Sequence, residues 1–332
     1  MKFHQLKIAK EYMNTLGRKG IPFLLITDFE LDNIHVIIDF QESKDIKFKI
    51  GNQNNYGSTS INKSLDQFET EPISIKEYNS AFQLVMNEIH LGNSFLLNLA
   101  FPTKIKTNLS LEDIFFSTSA KYKILVRDNF VCFSPETFIQ INDGVISSFP
   151  MKGTIDASIP DAQETILADK KEEAEHYTIV DLIRNDISQV AKHVEVKRFR
   201  YIDEIETSNK KLLQVSSEIS GKLQSDYTHY IGSIITKLLP AGSISGAPKK
   251  KTVEIIQKAE NRKRGYYTGI CALFDGKNLD SGVIIRYLES KEDQLYYKSG
   301  GGITFKSNME EEYNEMLDKV YLPIEDKVMN ES

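Results

Sequence analysis

The chain has 332 residues, of which 40% are hydrophobic, so it is long and apolar enough for one large domain or two small ones and is not a disordered protein. Its formal charge of -6 argues against nucleic-acid binding, which depends on dense basic patches, and no apolar run reaches the roughly 18 residues of a membrane span. The N-terminus also lacks the apolar core of a signal peptide, and we therefore expect a cytoplasmic protein.

Short strands and helices are predicted along the whole chain. Residues 23–26 and 35–38 are strand-like, residues 74–77 fit a helix capping box, and the apolar spacing that follows predicts a helix ending near Gly92. Further strands are predicted at 95–101, 122–133, 145–149, 267–274, 281–288 and 294–298, and further helices at 168–191, 227–239, 250–260 and 309–321. The elements alternate irregularly, which predicts an α+β fold with largely antiparallel sheet.

Lys152 lies in the run Pro-Met-Lys-Gly-Thr at 150–154, between a strand-like segment and an acidic, helix-forming one. Pro150 cannot donate to a strand ladder and Gly153 permits a tight backbone path, so we expect a sharp turn that presents Lys152 to a cleft. A lone lysine is most often a solvated loop residue. The motifs that accompany Lys152 favour a nucleophile instead.

Five short motifs follow one another over the last two thirds of the chain. They are Ser-Pro-Glu at 134–136, Pro-Met-Lys-Gly-Thr at 150–154, Glu-His at 175–176 with Val-Asp-Leu-Ile-Arg-Asn-Asp at 180–186, Pro-Ala-Gly-Ser-Ile-Ser-Gly-Ala-Pro-Lys at 240–249, and Gly-Gly-Gly-Ile at 300–303. Together they resemble the chorismate-utilising enzymes, a family that includes anthranilate, isochorismate and salicylate synthases and component I of aminodeoxychorismate synthase. The resemblance covers roughly residues 74–324.

This resemblance implies an architecture. It implies two large, mainly antiparallel sheets packed face to face, with helices outside and the active site between the sheets. Residues 1–73 would form a short N-terminal region continuous with the fold, 74–324 the chorismate-binding catalytic domain, and 325–332 a C-terminal tail.

Two glutamate pairs are candidates for a metal site. Glu172 and Glu175 are three residues apart on one predicted helix, and Glu312 and Glu315 are three apart on another, so each pair shares a helical face. Carboxylate oxygens are the ligands that Mg²⁺ prefers, although solvent-facing glutamates would show the same spacing. The resemblance implies that Glu175 and Glu315 bind Mg²⁺, with Glu172 and Glu312 in support.

Three segments could bind an anionic substrate. The glycine-rich loop at 240–248 leads into a helix near Lys250, and such loops offer backbone N–H groups to anions. Gly300–Gly302 follow a strand, where glycines allow a close ligand or merely tight packing. Arg286 is expected in mid-strand, facing either solvent or an anion. The resemblance implies that Tyr267 and Arg286 hold the pyruvyl carboxylate of chorismate, and that Ser243, Gly300 and Gly302 position its ring and ring carboxylate.

Lysine at the position of Lys152 is typical of the aminodeoxychorismate synthases, whereas anthranilate-forming relatives carry a small residue there. The resemblance therefore implies amination of chorismate at C4, with loss of the 4-hydroxyl, on the route to p-aminobenzoate and folate. Lys152, as a neutral amine, would attack C2 while Glu136 protonates the leaving hydroxyl, unless Glu136 is a surface carboxylate at a strand start. The pKa of Lys152 would have to fall towards neutrality, and burial beside Phe133 and Phe138 would raise the pKa of Glu136.

Two residues depart from the family pattern. Leu96 stands where aminating relatives usually carry glutamine and water-adding relatives carry lysine, and leucine cannot activate water. Gln214 stands where many relatives carry histidine, which removes one proton carrier near the ring. Leu96 argues against isochorismate or salicylate synthesis, and Gln214 is consistent with the loss of pyruvate elimination.

The two cysteines bear on the source of ammonia. Cys132 and Cys271 are isolated and lie beside apolar residues, so we expect buried thiols. Neither stands in a glutaminase signature, and the resemblance therefore implies a separate glutamine amidotransferase subunit. Two alternatives remain open: anthranilate synthase component I, which would aminate C2 and eliminate pyruvate, and a non-catalytic module that binds chorismate or the amidotransferase.

Overall fold

The structure is a computed structural model that describes residues 1–57, 63–206 and 211–324. The predicted C-terminal tail, 325–332, lies outside the described residues. Within the described ranges, ten strands form one antiparallel sheet and eight strands form a second. This confirms an α+β fold built on two large antiparallel sheets.

Both sheets join strands that are far apart in the chain. The first sheet contains, in spatial order, β1 (Lys2–Phe3), β3 (Ile34–Ile37), β2 (Phe23–Thr27), β15 (Ile270–Phe274), β16 (Leu279–Val283), β10 (Thr137–Asn142), β11 (Val145–Ser148), β14 (Lys211–Lys222) and β12 (Met151–Asp156), with β13 (Lys192–Glu206) also pairing with β14. The second sheet contains β5 (Gln53–Asn54), β4 (Ile46–Ile50), β8 (Tyr122–Val126), β9 (Phe130–Ser134), β17 (Tyr287–Lys291), β18 (Gln294–Thr304), β7 (Leu96–Thr107) and β6 (Phe68–Glu71).

Helices cover both sheets. They are α1 (Leu6–Arg18), α2 (Ile75–His90), α3 (Leu111–Ser117), α4 (Ala162–Ala168), α5 (Lys170–Ser188), α6 (Ile231–Leu238), α7 (Gly242–Ser245), α8 (Lys249–Glu260) and α9 (Met309–Asp318), and a 3₁₀ turn, Tyr227–Tyr230, precedes α6. No helix in the described ranges is long and apolar enough to cross a membrane.

Hydrophobic packing holds the two sheets face to face. Along β2, successive side chains point to opposite faces of the first sheet. Leu24 and Ile26 pack in a core shared with Phe48 of the second sheet, whereas Phe23 and Leu25 pack in a different core that includes residues of α1 and α6. β2 is therefore buried on both faces, and its apolar run has no polar alternation.

The predicted helix over 168–191 is confirmed as α5, and Asp169 separates it from α4, a short helix that was not predicted. The backbone of Asp169 is extended, with ψ at 112°, and its carboxylate accepts a hydrogen bond from the N–H of Glu172 at 2.9 Å. This contact caps the N-terminus of α5.

The described chain passes between the two sheets three times, and the two later connections, after β9 and after β16, carry predicted site residues. Glu136 lies in the connection between β9 of the second sheet and β10 of the first. Arg286 lies in the connection between β16 and β17, at a φ of 53°. The continuous strand expected over 281–288 is therefore wrong, and Arg286 is not in mid-strand. The apolar run continues through the connection because Ile284 is buried between the sheets.

The two connections run side by side. The N–H of Val283 donates to the carbonyl of Glu136 at 3.0 Å, and the N–H of Phe133 donates to the carbonyl of Arg286 at 3.1 Å. These hydrogen bonds replace the ladder that each strand loses on leaving its sheet. An acidic and a basic side chain are thereby placed at one seam between the sheets.

Lys152 lies in a strand and not on the expected sharp turn. β12 pairs Lys152 with Val215 of β14. Pro150 has no N–H, but its carbonyl accepts a hydrogen bond from the N–H of Ser217 at 3.0 Å, so pairing with β14 starts before the strand itself. Gly153, at a φ of 75°, makes a bulge directly after Lys152.

A buried ion pair fixes α8 to the second sheet. Arg264 Nε lies 2.9 Å from Oε2 of Glu260, and both side chains are 2% exposed. Glu260 also accepts a hydrogen bond from the N–H of Ala100 at 2.9 Å, and Arg264 donates to the carbonyl of Asn98 at 2.7 Å. Both partners are thus bound to β7 as well as to each other.

We expect Glu260→Ala to lower the free energy of unfolding by about 3 to 5 kcal/mol, because it leaves the guanidinium of Arg264 buried without its carboxylate. Asp32→Ala removes the exposed partner of the neighbouring Lys263 and is the matched control, with no change expected. Denaturant unfolding measures both variants. Equal stability of the two would contradict the expectation.

Candidate active site

A cavity of about 820 Å³ opens where both sheets meet helices α5, α7 and α9. Every site residue predicted from the sequence lines it. They are Glu136, Lys152, Glu172, Glu175, Ser243, Tyr267, Arg286, Gly300, Gly302, Glu312 and Glu315. The fold thus brings together side chains from distant parts of the chain.

Lys152 lies among carboxylates. Its Nζ is 2.9 Å from Oε2 of Glu175, and the charges of Glu172 and Glu315 also act on it. Burial opposes the charged form, but the three carboxylates outweigh burial, so the pKa of Lys152 lies above its ordinary value. The expectation of a lowered pKa is therefore wrong for the chain by itself, because burial comes together with negative charge.

Gly302 leaves room for the amine of Lys152. A Cβ at this position would lie 3.2 Å from Nζ of Lys152 and 3.3 Å from Cδ1 of Leu96, so a larger residue would displace one of them. The side chain of Leu96 is 4% exposed and offers neither a proton donor nor an acceptor beside the amine. Gln214 also lines the cavity, and its amide donates to Oγ1 of Thr154 at 3.2 Å.

The glutamate pairs reach the cavity from two helices. Glu172 and Glu175 belong to α5, and Glu312 and Glu315 belong to α9. A Cβ on Gly301 would lie 3.1 Å from Oε2 of Glu312 and 3.4 Å from Oε1 of Glu315, so this glycine makes space for both carboxylates. Burial raises the pKa of Glu172, and the charges of Glu175 and Glu315 raise it further against the effect of the nearby ammonium.

The donor set suits a hard cation, because all four side chains are carboxylates. Across residues 1–57, 63–206 and 211–324, no three His, Cys, Asp or Glu side chains stand close enough together to hold a metal ion. Lys152 and Lys319 supply positive charge beside these carboxylates, and Nζ of Lys319 lies 2.6 Å from Oε1 of Glu315. The pairs therefore fit Mg²⁺ by donor type without forming a ready-made ion site.

Glu136 accepts a hydrogen bond from the hydroxyl of Ser243. Burial raises the pKa of Glu136, as predicted, while the hydrogen bond from Ser243 and the charge of Lys152 oppose the rise. Ser243 lies on α7, and the chain after α7 passes tightly against β7. Gly246, at a φ of 87°, is required there because a Cβ would clash with the carbonyl of Leu96.

Tyr267 lies near Glu136 and Arg286, the two site residues in the sheet connections. It is 4% exposed, and burial raises its pKa to about 12, so its hydroxyl stays protonated at neutral pH. The charges of Arg286 and Glu136 both act on this hydroxyl. A neutral donor and a guanidinium therefore share one region of the cavity.

Three basic side chains line the cavity besides Lys152: Arg286, Lys298 and Lys319. Arg286 lies over the ring of Tyr321, 5.6 Å from its centroid. Lys319 Nζ donates to the carbonyl of Gly300 at 2.9 Å. Lys319 also pairs with Glu315 at 2.6 Å and Lys298 with Glu289 at 2.7 Å, so Arg286 is the best-placed of the three to meet an anionic ligand.

Lys298 and Lys319 were not predicted as site residues, although their spacing from predicted ones indicates both. Lys319 follows Glu315 by four residues at the end of α9, which places the two on one helical face. Lys298 precedes Gly300 by two residues on β18, and alternate residues of a strand share a face.

A family model described as chorismate binding enzyme matches residues 30–325 of the chain. The chain belongs to the chorismate-binding enzyme family. This family member is 50% identical over 316 residues to a Haemophilus influenzae protein named as an uncharacterized PabA-like protein, covering 95% of the chain and 96% of the relative. It is 30% identical over 263 residues to aminodeoxychorismate synthase component 1 of Klebsiella aerogenes, covering 75% of the chain and 57% of that protein.

The fold of this chorismate-binding family member is also seen in solved structures. MenF, the menaquinone-specific isochorismate synthase of Escherichia coli, matches with a TM-score of 0.73 over 96% of the chain and 82% of MenF. The sequence identity is 14%, so the likeness concerns the fold alone.

We expect Ser243→Ala to raise the pKa of Glu136 further, because the hydrogen bond that it removes stabilises the carboxylate over the protonated acid. NMR titration of glutamate labelled with ¹³C at the carboxyl group measures the shift, with Glu136→Gln to assign the signal. Ser243→Thr keeps the hydroxyl and is the control. A pKa that stays constant or falls in Ser243→Ala would refute this account of the hydrogen bond.

Proposed function

We propose that this chorismate-binding family member aminates chorismate at C4, giving 4-amino-4-deoxychorismate for p-aminobenzoate and folate synthesis. The observation that carries the proposal is the amine of Lys152, which lines the cavity beside Gly302 and Leu96. The aminodeoxychorismate synthase relative supports the same reaction class.

Lys152 and Glu136 would share the first chemical step. The amine of Lys152 attacks C2 of the ring, both conjugated ring double bonds shift, and the C4–O bond breaks while Glu136 delivers the proton that lets water leave. Ammonia then forms a bond to C4, both double bonds shift back, and the C2–N bond to Lys152 breaks. The carboxylate of Glu136 takes back one proton from the ammonium formed at C4. Lysine is regenerated, and the net change replaces a hydroxyl by an amino group with release of water.

Substrate anions would be held by the basic part of the cavity. Arg286 and the hydroxyl of Tyr267 would bind the pyruvyl carboxylate, since both lie near Glu136 at the sheet connections. Ser243, Gly300 and Gly302 would position the ring and its carboxylate. The glycines would allow a planar ligand to approach the backbone of β18.

Mg²⁺ would be held by Glu175 and Glu315, with Glu172 and Glu312 in support, because these carboxylates line the same cavity. Bound there, the cation would neutralise the ring carboxylate and lower the pKa of the neighbouring Lys152. Without such compensation, the negative charges of Glu175, Glu172 and Glu315 favour the protonated form of Lys152.

The ammonia would come from a separate glutamine amidotransferase subunit. Cys132 and Cys271 are the two cysteines of the sequence, and both are buried free thiols, as predicted. Burial raises the pKa of Cys271 to about 12 and that of Cys132 well above its ordinary value, so neither suits a glutaminase nucleophile. Release of ammonia from glutamine by the purified chain would contradict this proposal.

We expect the purified chain to convert chorismate to 4-amino-4-deoxychorismate when supplied with ammonium salt and Mg²⁺, and to lose turnover in excess EDTA. Mass spectrometry identifies the product, and added aminodeoxychorismate lyase should convert it to p-aminobenzoate. Restoring Mg²⁺ should restore turnover. Anthranilate as the product would favour the C2-aminating alternative over this proposal. Chorismate binding without turnover, even with an amidotransferase present, would favour the binding module. Full activity in EDTA would refute the proposed Mg²⁺ requirement.

We expect Lys152→Ala to lower the rate of C4 amination by roughly a hundredfold or more, since acid, base and nucleophilic groups at reacting atoms contribute on that order. The same product assay measures the rate. Lys170→Ala is the control, because Lys170 is an exposed lysine paired with Glu173 on the surface of α5. An unchanged rate in Lys152→Ala would end the nucleophile role.

A further inference from the structure

His176 directly follows Glu175 on α5 but does not line the cavity. Its side chain is 1% exposed, and Nε2 lies 2.7 Å from Oγ of Ser217 on β14. Nδ1 is buried and has no hydrogen-bond partner among the described residues. The contact with Ser217 is therefore the hydrogen bond by which this imidazole is oriented.

Ser217 is a junction between three elements. It is fully buried, and its N–H donates to the carbonyl of Pro150 at 3.0 Å, two residues before Lys152. Its Oγ contacts His176 of α5 and also accepts a hydrogen bond from the N–H of Arg200 of β13 at 2.9 Å. One serine thus connects the helix of Glu175 to the strands on both sides of β14.

The bulge in β13 explains why the amide of Arg200 reaches Ser217. Pairing between β13 and β14 shifts register between Arg198 and Tyr201, and Arg200 has a φ of 47°. An amide at such a bulge leaves the ladder and needs another acceptor. Arg200 continues the connection with its guanidinium, which lies 2.9 Å from Oε1 of Glu173 on α5.

We propose that His176 and Ser217 are positioning residues that set the separation between Glu175 and Lys152. Glu175 is adjacent to His176 on α5, and Lys152 pairs with Val215, two residues before Ser217. The hydrogen bond from His176 to Ser217 therefore links the helix of Glu175 to the strand pair of Lys152, and it lies outside the cavity in which Lys152 and Glu175 are 2.9 Å apart. Its catalytic consequence rests on the proposed amination, in which Lys152 must meet the ring in one orientation.

Two amide variants separate this role from simple packing. The side chain of His176→Gln ends in a donor and an acceptor near the position of Nε2, so it can keep the bond to Ser217. His176→Asn is one methylene shorter and loses that bond. We expect His176→Asn and Ser217→Ala to lower kcat about tenfold with little change in the KM for chorismate, and His176→Gln to recover most of the rate.

Hydrogen exchange followed by mass spectrometry gives a second readout that needs no turnover. We expect faster amide exchange over residues 150–156 in His176→Asn and Ser217→Ala, with no change over β7. His176→Gln should exchange like the natural chain. Ser220→Ala, at a buried serine three residues further along β14, is the matched control for loss of a hydroxyl.

Wild-type kcat and exchange in His176→Asn would overturn the proposal, and so would a His176→Gln variant as slow as His176→Asn. Loss of rate in all three variants together with a matching fall in Tm would assign His176 to packing alone. If the natural chain makes no aminated product, the amination proposal fails by itself. The exchange pattern then still decides whether the hydrogen bond from His176 to Ser217 positions the strand of Lys152.

Discussion

The candidate site depends on the ion pair between the ammonium of Lys152 and the carboxylate of Glu175, with the charges of Glu172 and Glu315 beside it. Taking a charge out of water costs several kcal/mol unless an opposite charge and hydrogen bonds compensate it. Lys152 and Glu175 compensate each other at 2.9 Å, and Glu172 and Glu315 strengthen the effect on the lysine. The strand β12 and the helices α5 and α9 are therefore held to one another by the same charges that face the cavity.

The seam between the sheets supplies the rest of the site. Backbone hydrogen bonds join the connection of Glu136 to that of Arg286, with Glu136 opposite Val283 and Arg286 opposite Phe133. Glu136 has a raised pKa there and keeps one hydrogen bond from Ser243, so its acidity is tuned by burial against one hydroxyl. The proposed reaction would use the carboxyl group of Glu136 as a proton donor and the guanidinium of Arg286 to bind a substrate carboxylate.

The departures from the family pattern acquire a physical meaning in this setting. Leu96 and the amine of Lys152 both border the space that a side chain at Gly302 would fill. In the proposed reaction, a leucine there would offer the amine no competing base and no site for a tightly bound water. Gln214 bonds to Thr154 on the strand of Lys152, so the amide that replaces histidine takes part in holding that strand.

Much of the fold and the candidate site could be predicted from the sequence, because local spacing carries that information. The glutamate pairs, the glycine run and the Ser-Pro-Glu motif can each be found without reference to distant parts of the chain, and the site residues predicted from them line the cavity. The same kind of spacing also points to Lys319 and Lys298. The antiparallel α+β class followed from irregular alternation of short elements, and the structure confirms it.

Only the tertiary structure decided three matters, each of which depends on contacts between distant segments. A continuous apolar run did not reveal that the chain leaves one sheet before Arg286, because residues buried between sheets are as apolar as residues within them. The strand conformation of Lys152 is set by pairing with Val215, which is 63 residues further along the chain. The raised pKa of Lys152 required the carboxylates of two helices to meet it, and sequence distance says nothing about that meeting. The sequence by itself determined which groups the site contains, and tertiary packing determined their charge states and their separations.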